Sequence, residues 1–335
     1  MRFVVGRNNL AATIFVPYDC GYKCPFCTTK HEYKDMTNFS LERIINSIKT
    51  INGMPDVKDV VFTGGEPFAD LKQLQQMLNA VSHEKNIYIN TTLPARGLRE
   101  TLDFIARNSS VISGLNISRH IDSFVSNKTD IALGELNYMP IRINCVLSRE
   151  YSTTELSDFI ELYKHKNRVI NFRADYRHIT TENLKTLNNE FIKQLLSLGL
   201  EYQASNGCLV CNTDYFTAQG KYYIVYHRGI ERSSIKLGET IIVNDIIIKQ
   251  TGSMYYDWDD NNSDEVIDIE GMIKTFWVGT KPTEKDMPVK IAEAKAVVAK
   301  AKKSNPEPKL VSVGECYPRI NPGDCYRPKC GSGGC

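Results

Sequence analysis

The sequence predicts an α/β fold in which short parallel strands alternate with amphipathic helices. Between residues 11 and 185, runs rich in Val and Ile alternate with stretches whose apolar residues recur every three or four positions. The Val- and Ile-rich runs are short, as strands buried in a parallel sheet are. Six such strands, each followed by a helix, imply right-handed βαβ crossovers and an open, partial barrel.

The predicted strands and helices follow one another in order along the chain. The six strand-like runs are 13–17, 59–64, 86–90, 113–118, 141–148 and 168–174. Ser40 is placed to cap the first helix, and each helix carries apolar residues along one face. These stripes contain Leu41, Ile44, Ile45, Ile48 and Ile51, then Leu71, Leu74, Leu78 and Val81, then Leu98, Leu102 and Ile105, then Leu156, Phe159 and Leu162.

The chain changes character after residue 185. A helix from Leu184 to Leu196 precedes a β-rich stretch with a hairpin through 218–220 and strands over 240–252. A lysine-rich helix over 287–303 then leads into a tail of Cys, Gly and Pro. We therefore predict a barrel at 1–185, a small β-rich, cysteine-bearing appendage at 186–280, and the lysine-rich helix and tail at 281–335.

Composition and charge narrow the functional class. Hydrophobic residues at 42% and charged residues at 24% describe a soluble globular protein, and a net charge of +2 does not indicate nucleic-acid binding. No run approaches the roughly 18 apolar residues of a membrane helix, and the N-terminus does not resemble a signal peptide. We therefore expect a cytoplasmic protein without membrane contact, whose ten cysteines serve metal or redox chemistry.

Three cysteines, Cys20, Cys24 and Cys27, follow the first predicted strand with the spacing CxxxCxxC. Ligands of parallel α/β folds bind at this carboxyl end of the strands. Three thiolates are one fewer than the four that close a zinc or cubane iron–sulfur site. The trio therefore either holds three irons of a [4Fe–4S] cluster whose fourth iron is open, or completes a zinc site with a remote Cys or His.

A second motif, VVFTGGEPF at 60–68, ends the next predicted strand and favours the open cluster. Gly64 and Gly65 allow a ligand to approach the backbone closely. Glu66 and the backbone are placed to receive a positively charged amino group, and Pro67 completes the turn. Alone the motif is an ordinary strand-to-helix turn, but after CxxxCxxC it is specific.

With these two motifs the chain resembles the radical S-adenosylmethionine (SAM) superfamily over about residues 10–180, and Phe26 before the third cysteine adds to the resemblance. The resemblance implies a partial (β/α)6 radical SAM barrel with a [4Fe–4S] cluster on the three cysteines and SAM on the open iron. It also implies cleavage of SAM to methionine and a 5′-deoxyadenosyl radical that takes a hydrogen atom from the substrate. A flavodoxin- or ferredoxin-type protein would supply the electron.

Strand ends supply further candidates for SAM binding. By the same resemblance, Ser118 at the end of the fourth strand is expected to contact the SAM ribose or carboxylate. Asn144 in the fifth strand, Arg173 in the sixth and Thr92 are further candidates. The alternative for each is a strand-end polar residue satisfied by backbone or water.

Cys208 and Cys211 form a CxxC before the predicted hairpin. This region resembles the auxiliary-cluster region of SPASM and twitch radical SAM enzymes and of the molybdenum-cofactor GTP cyclase. Those proteins have another cysteine after the hairpin, whereas YYIVYHRG has none. An auxiliary iron–sulfur cluster would therefore need ligands from the tail, for which Cys316 and Cys330 are candidates, or the site is of another kind.

Two other cysteines are candidate thiols for the reaction. Cys335 follows a glycine pair at the end of the chain and would act as a hydrogen-atom donor if the tail threads into the barrel. The tail would otherwise be disordered, with incidental cysteines. Cys145 lies in an apolar strand and is either a small core residue or a thiol facing the barrel interior.

The leading interpretation is an enzyme that abstracts a hydrogen atom from a peptide, of the ribosomally made and modified (RiPP) type, or from a small molecule or nucleotide. A glycyl-radical-enzyme activase would carry the same cluster motif. The third interpretation is a non-enzymatic structural protein whose fold is held together by bound metal, and it leaves the Gly64–Pro67 turn unexplained.

Iron content separates the interpretations of the CxxC pair. If Cys208 and Cys211 bind an auxiliary cluster, the reconstituted protein holds about eight iron atoms and the Cys208→Ala, Cys211→Ala double variant about four. SAM cleavage assayed alongside is expected to persist in the variant. About four iron atoms in both proteins would contradict an auxiliary cluster, and zinc without iron would contradict the whole interpretation.

Overall fold

The computed structural model of the chain describes residues 2–5, 10–16, 20, 22, 24–27, 39–122, 129–175, 184–206, 213–218, 220, 222–227, 234–237, 240–243 and 245–256. Strands β1 to β7 span Arg2–Val5, Leu10–Val16, Val57–Gly64, Asn86–Thr91, Ile112–Ser118, Ile141–Leu147 and Arg168–Ala174. Strands β8 to β14 span Glu201–Asn206, Thr213–Thr217, Tyr223–His227, Ser234–Leu237, Thr240–Val243, Asp245–Ile248 and Met254–Tyr255. Helices α1 to α5 span Leu41–Asn52, Leu71–Ala80, Leu98–Arg107, Thr153–Tyr163 and Leu184–Ser197.

Six strands of the main sheet are parallel and follow chain order, β2-β3-β4-β5-β6-β7. Each strand is added on the same side of the preceding one, so right-handed crossovers place the connecting helices on one face. This topology confirms the predicted partial barrel. The connection from β5 to β6 departs from the prediction, because its described part contains a short 3-10 helix, Ile131–Gly134, in place of an α-helix.

The helix-facing side of the sheet forms the hydrophobic core. In β5 to β7 this side carries Ile117, Ile143, Cys145, Ile170 and Phe172, which are buried together with the apolar faces of the helices. Burying one such apolar side chain stabilises the fold by roughly 1.5–3 kcal/mol.

Side chains alternate along a strand, so the residues between these core positions lie on the opposite side. We call this side, which carries Asn116, Asn144 and Asn171, the inner face. Whereas the helix-facing side is apolar, the inner face is lined in its central strands by amides.

Two further parallel strands extend the sheet at its ends. Strand β10 pairs with β7, and β13 pairs with β2. The hairpin predicted through 218–220 is confirmed, since β9 and β10 are antiparallel, and β8 pairs with β9. Both β10 and β13 come from the segment predicted as an appendage, so part of that segment completes the barrel sheet. The domain boundaries remain a prediction, and residues 257–335 lie outside the described part.

A second, smaller sheet has the order β1-β12-β11. Its strands come from the first residues and from the segment after the hairpin, with β1 parallel to β12 and β11 antiparallel to it. The strands predicted over 240–252 are thus confirmed as β12 and β13, which belong to different sheets.

The helices begin at side chains that satisfy their first N–H groups. Ser40 caps α1 as predicted, with its hydroxyl accepting from the Arg43 N–H at 3.3 Å. Ser152 and Glu155 form a capping box at the start of α4. Within the described ranges, none of the helices combines the length and apolar character that crossing a bilayer requires.

Gly64 provides a test of the strand geometry. Its φ is +119°, and a Cβ there would lie 2.3 Å from the Val16 carbonyl oxygen and 2.8 Å from the Val16 nitrogen. We expect Gly64→Ala to lower the free energy of unfolding by about 2 kcal/mol or more. Gly134→Ala is the matched control, because a Cβ there meets no atom within 4 Å. Equal urea midpoints for the two variants, measured by circular dichroism, would contradict this.

Candidate active site

The described cysteines of the CxxxCxxC motif lie in the loop after β2. The Cys27 N–H donates to the Cys24 carbonyl oxygen at 3.2 Å, which closes a turn between these two residues. Cys20, Cys24 and Cys27 are half-buried thiols. The buried ring of Phe26 packs edge-on against the His120 imidazole, with 4.5 Å between ring centres. Because His120 follows β5, this contact places the cysteine loop near the carboxyl ends of the strands.

This donor set fits an iron–sulfur cluster, since cysteine thiolates are its usual ligands. Each thiolate of a cubane bonds a different iron, so its ligands stand farther apart than those of a single ion. In the part of the chain that the structure describes, no three His, Cys, Asp or Glu side chains converge as ligands of one metal ion.

The Gly64–Pro67 turn lies beside the end of β2, from which the cysteine loop departs. Gly64 is the register partner of Val16, and the Gly65 N–H donates to the Val16 carbonyl oxygen at 3.0 Å. Pro67 is buried and begins a short 3-10 helix. The structure therefore brings the two sequence motifs together at one edge of the sheet.

Glu66 is 3% exposed, and both of its carboxylate oxygens are occupied. Oε1 accepts from the Phe68 N–H at 3.1 Å and from the Thr91 hydroxyl at 2.7 Å. Oε2 accepts from the N–H and the hydroxyl of Thr92, at 2.8 Å and 2.6 Å. Burial raises the pKa of Glu66 above its ordinary value, and these hydrogen bonds oppose the rise.

A carboxylate offers about four acceptor positions, and here all of them are used within the chain. The geometry thus gives Glu66 a different role from the expected contact with a ligand amino group. It ties the Gly64–Pro67 turn to the end of β4. Thr92, expected as a SAM contact, supplies part of the same tie.

Two hydrogen-bonded stretches of side chains lie on the inner face, one of Thr63, Asn90 and Asn116 and one of Asn144 and Asn171, and we call them together the amide row. The Asn116 amide donates to Asn90 Oδ1 at 2.7 Å, and the Asn90 amide donates to Thr63 Oγ1 at 3.1 Å. One step closer to the carboxyl edge, the Asn171 amide donates to Asn144 Oδ1 at 2.7 Å. In each of these hydrogen bonds the amide N–H donates towards β3, so the bonds of the row all run in one direction.

Asn171 is fully buried, and its Oδ1 has no hydrogen-bond partner within the described part of the chain. A buried acceptor without a partner costs about 1–3 kcal/mol, so this oxygen suits a ligand N–H or hydroxyl. Ser118 is the register partner of Asn144, and Arg173 lies two residues beyond Asn171 on the same face. The three predicted strand-end candidates, Ser118, Asn144 and Arg173, thus share one face and one edge.

Cys145 lies on the other side of β6. Its side chain is fully buried within the hydrophobic core, and burial raises the pKa of the thiol to about 12. The structure therefore supports the interpretation of Cys145 as a core residue. The alternative, a thiol facing the barrel interior, disagrees with this placement.

The remaining predicted cysteines, Cys208, Cys211, Cys316, Cys330 and Cys335, lie outside the described residues. Their assignment to an auxiliary cluster or to thiol chemistry therefore stays a prediction.

Two residues that the sequence analysis missed, Arg119 and His120, directly follow Ser118. Arg119 is 1% exposed. His120 Nδ1 accepts from the Val146 N–H at 3.2 Å, and burial lowers the pKa of His120 to about 4. The imidazole is then neutral at neutral pH, with its proton on Nε2. The available signal was a pair of basic residues at the end of an apolar strand.

The amide row was also missed, although four consecutive strands each carry an asparagine directly after an aliphatic residue. These pairs are Ile89-Asn90, Leu115-Asn116, Ile143-Asn144 and Ile170-Asn171. A polar residue repeated within apolar strands is a sign of a polar face.

Glu66→Gln tests the tie between β3 and β4. The substitution replaces one acceptor oxygen by an NH2 group, which is a hydrogen-bond donor. This NH2 group would face two groups that also donate. We expect the free energy of unfolding to fall by about 2 kcal/mol. Glu84→Gln is the control, since this exposed carboxylate lies just before the start of β4. The control should lower the free energy of unfolding by less than about 0.5 kcal/mol. Urea denaturation measures both, and a Glu66→Gln variant as stable as the control would refute the tie.

Comparison with known proteins agrees with the motifs. The sequence model of the Radical SAM superfamily matches residues 14–121. The GTP 3',8-cyclase of Haemophilus ducreyi (strain 35000HP / ATCC 700724) is 23% identical over 168 residues, covering 44% of this chain and 47% of that protein. The mitochondrial GTP 3',8-cyclase of Arabidopsis thaliana is 25% identical over 182 residues, covering 48% and 45%. The chain thus spans about half the length of the curated relatives it matches.

Among solved structures, Streptococcus suis SuiB bound to S-adenosylmethionine is similar over 56% of this chain and 48% of that chain, with 18% identity and a TM-score of 0.43. The family match covers the end of β2, strands β3 to β5, the cysteine loop and the Gly64–Pro67 turn. Over residues 14–121 the chain is thus similar to the Radical SAM superfamily, whose members use a [4Fe–4S] cluster and SAM.

Proposed function

We propose that Cys20, Cys24 and Cys27 hold the [4Fe–4S] cluster, that SAM binds beside the Gly64–Pro67 turn, and that the substrate is a nucleotide. When bound, the cluster and SAM supply a radical that abstracts a hydrogen atom. The observation that carries the choice of substrate is the amide row on the inner face, which ends in the unsatisfied Oδ1 of Asn171.

The turn binds through its backbone. Glu66 is fully occupied and the Gly65 N–H is committed to Val16, so carbonyl oxygens are the groups that suit the ammonium of SAM. The positive φ of Gly64 lets this backbone lie close to the end of β2. Ser118 and Asn144, at the same edge, are the side chains we assign to the polar groups of SAM.

The hydrogen-bonding groups and the charge of the inner face both suit a nucleotide. Asparagine amides present a donor and an acceptor together, which is how they recognise the edges of bases. Arg142 is the register partner of Asn116, and Arg173 that of Val146, so two guanidinium groups belong to this face. Arginine is the preferred partner of phosphate because its fork binds two oxygens at once.

The curated relatives also support a nucleotide substrate, since both are named GTP 3',8-cyclases and match over about half their length. The peptide substrate that the sequence leaves open depends on the Cys208 and Cys211 region, which the structure does not describe. We therefore place a purine nucleotide first among the substrates to be tried.

Turnover with defined nucleotides tests the proposal. The anaerobically reconstituted, dithionite-reduced protein is incubated with SAM, alone and with GTP or ATP. We expect a purine nucleotide to stimulate formation of 5′-deoxyadenosine, measured by chromatography, and to change in mass. Cys24→Ala should abolish cleavage, whereas Cys145→Ala, the matched control for a core cysteine, should retain it.

Asn171→Ala probes the inner face separately. Losing one hydrogen bond of about 1.4 kcal/mol should raise the KM for the nucleotide about tenfold, with little change in SAM cleavage without substrate. SAM cleavage that no nucleotide stimulates would reject the nucleotide and favour the peptide. A wild-type protein that does not cleave SAM would reject the proposal as a whole.

A further inference from the structure

We propose that Arg119 is a positioning residue that holds the Gly64–Pro67 turn in its SAM-binding shape by fixing the backbone at the end of β4. This inference rests on the function proposed for the turn. Arg119 lies outside both sequence motifs, and its side chain is joined to the turn through Thr92.

Thr92 is held from two sides. Its N–H and hydroxyl donate to Glu66 Oε2, at 2.8 Å and 2.6 Å. Its carbonyl oxygen accepts from Arg119 Nη1 at 2.8 Å. The carboxylate and the guanidinium thus hold opposite ends of one residue, and the orientation of Thr92 fixes the position of Glu66 and of the turn that contains it.

The backbone held in this way is strained. Leu93, directly after Thr92, has a φ of +54°, and it is the described non-glycine residue with a positive φ. A leucine adopts this left-handed conformation only where its surroundings impose it. The Leu93 side chain is fully buried, and its N–H donates to the Thr91 hydroxyl at 2.8 Å. Glu66 accepts hydrogen bonds from Thr91 and Thr92, and Arg119 donates to the Thr92 carbonyl oxygen. These contacts restrain the backbone that leads into Leu93.

The Arg119 side chain is itself anchored on three further groups. Nη1 also donates to the Ser118 carbonyl oxygen at 2.8 Å, and Nη2 donates to the Thr129 hydroxyl at 2.6 Å. Nε forms an ion pair with Asp130 at 2.6 Å. Asp130 in turn accepts from the Tyr163 hydroxyl of α4 at 2.9 Å. The bend after β4 is thereby linked to the end of β5 and to a helix of the core.

The geometry requires the planar fork of arginine. Three nitrogens of one side chain point to different acceptors, two of which are backbone carbonyls of neighbouring strand ends. A lysine keeps the charge but carries its N–H donors on one nitrogen, so it does not reproduce the planar fork that reaches Thr92, Thr129 and Asp130 from three nitrogens. Buried ion pairs contribute little net stability, and their better-supported role is to select one arrangement.

Hydrogen exchange in the protein without cluster or SAM tests the inference directly. The reporters are the amides of Gly65, Phe68 and Thr92, whose hydrogen bonds define the turn. We expect Arg119→Lys to speed their exchange at least tenfold. The Leu10 amide, which donates to the Asp56 carbonyl oxygen at the opposite end of β2, should not change. Arg99→Lys is the matched control, because this exposed arginine pairs with Asp103 and Glu135 on the surface.

SAM affinity and iron content complete the test on the reconstituted protein. We expect Arg119→Lys to raise the Kd for SAM about tenfold with its iron content unchanged. Asp130→Asn keeps an acceptor for Nε and should retain most of the affinity, whereas Asp130→Ala should lose it.

Unchanged exchange at the three reporters in Arg119→Lys would overturn the inference, and so would acceleration that includes Leu10, which indicates a general loss of stability. Wild-type SAM affinity in Arg119→Lys would also overturn it. If the wild-type protein itself binds no SAM, the proposed function fails, and the exchange experiment still decides whether Arg119 positions the turn.

Discussion

The carboxylate of Glu66, buried and bonded to four donors, is the interaction on which the candidate active site depends. It joins the turn after β3 to the end of β4, while Gly64 brings the same turn against β2. Three neighbouring strand ends are thereby held in one arrangement. Because the cysteine loop leaves from β2, this arrangement also sets where the cysteine motif and the turn meet.

The topology explains why a site forms at this edge. Parallel strands added in one direction place the connecting helices on one face, and the helix-facing side becomes the apolar core. The inner face is then available for polar groups, which the amide row and the strand-end residues Ser118 and Arg173 supply. At the carboxyl edge this polar face meets the cysteine loop, so the residues proposed to bind the cofactor and the substrate converge there.

Local sequence patterns were sufficient for the six barrel strands and the Ser40 helix cap, because each depends on residues close in the chain. The pairing of β10 and β13 with the barrel was beyond local patterns, since it joins segments far apart in sequence. The same holds for Arg119, whose partner Thr92 lies on another strand. Glu66 was recognised, but its hydrogen bonds with Phe68, Thr91 and Thr92 were not predicted, because a motif does not show that a carboxylate is already saturated. Cys145 was left between two interpretations, which the alternation of β6 decides in favour of the core.

Low-temperature electron paramagnetic resonance of the reduced, reconstituted protein tests the central claim most directly, because it observes the cluster and SAM binding together. The account predicts a [4Fe–4S] signal whose g values shift when SAM is added, and the loss of that signal in Cys24→Ala. A signal that SAM leaves unchanged, or a protein that holds zinc in place of iron, would contradict the account.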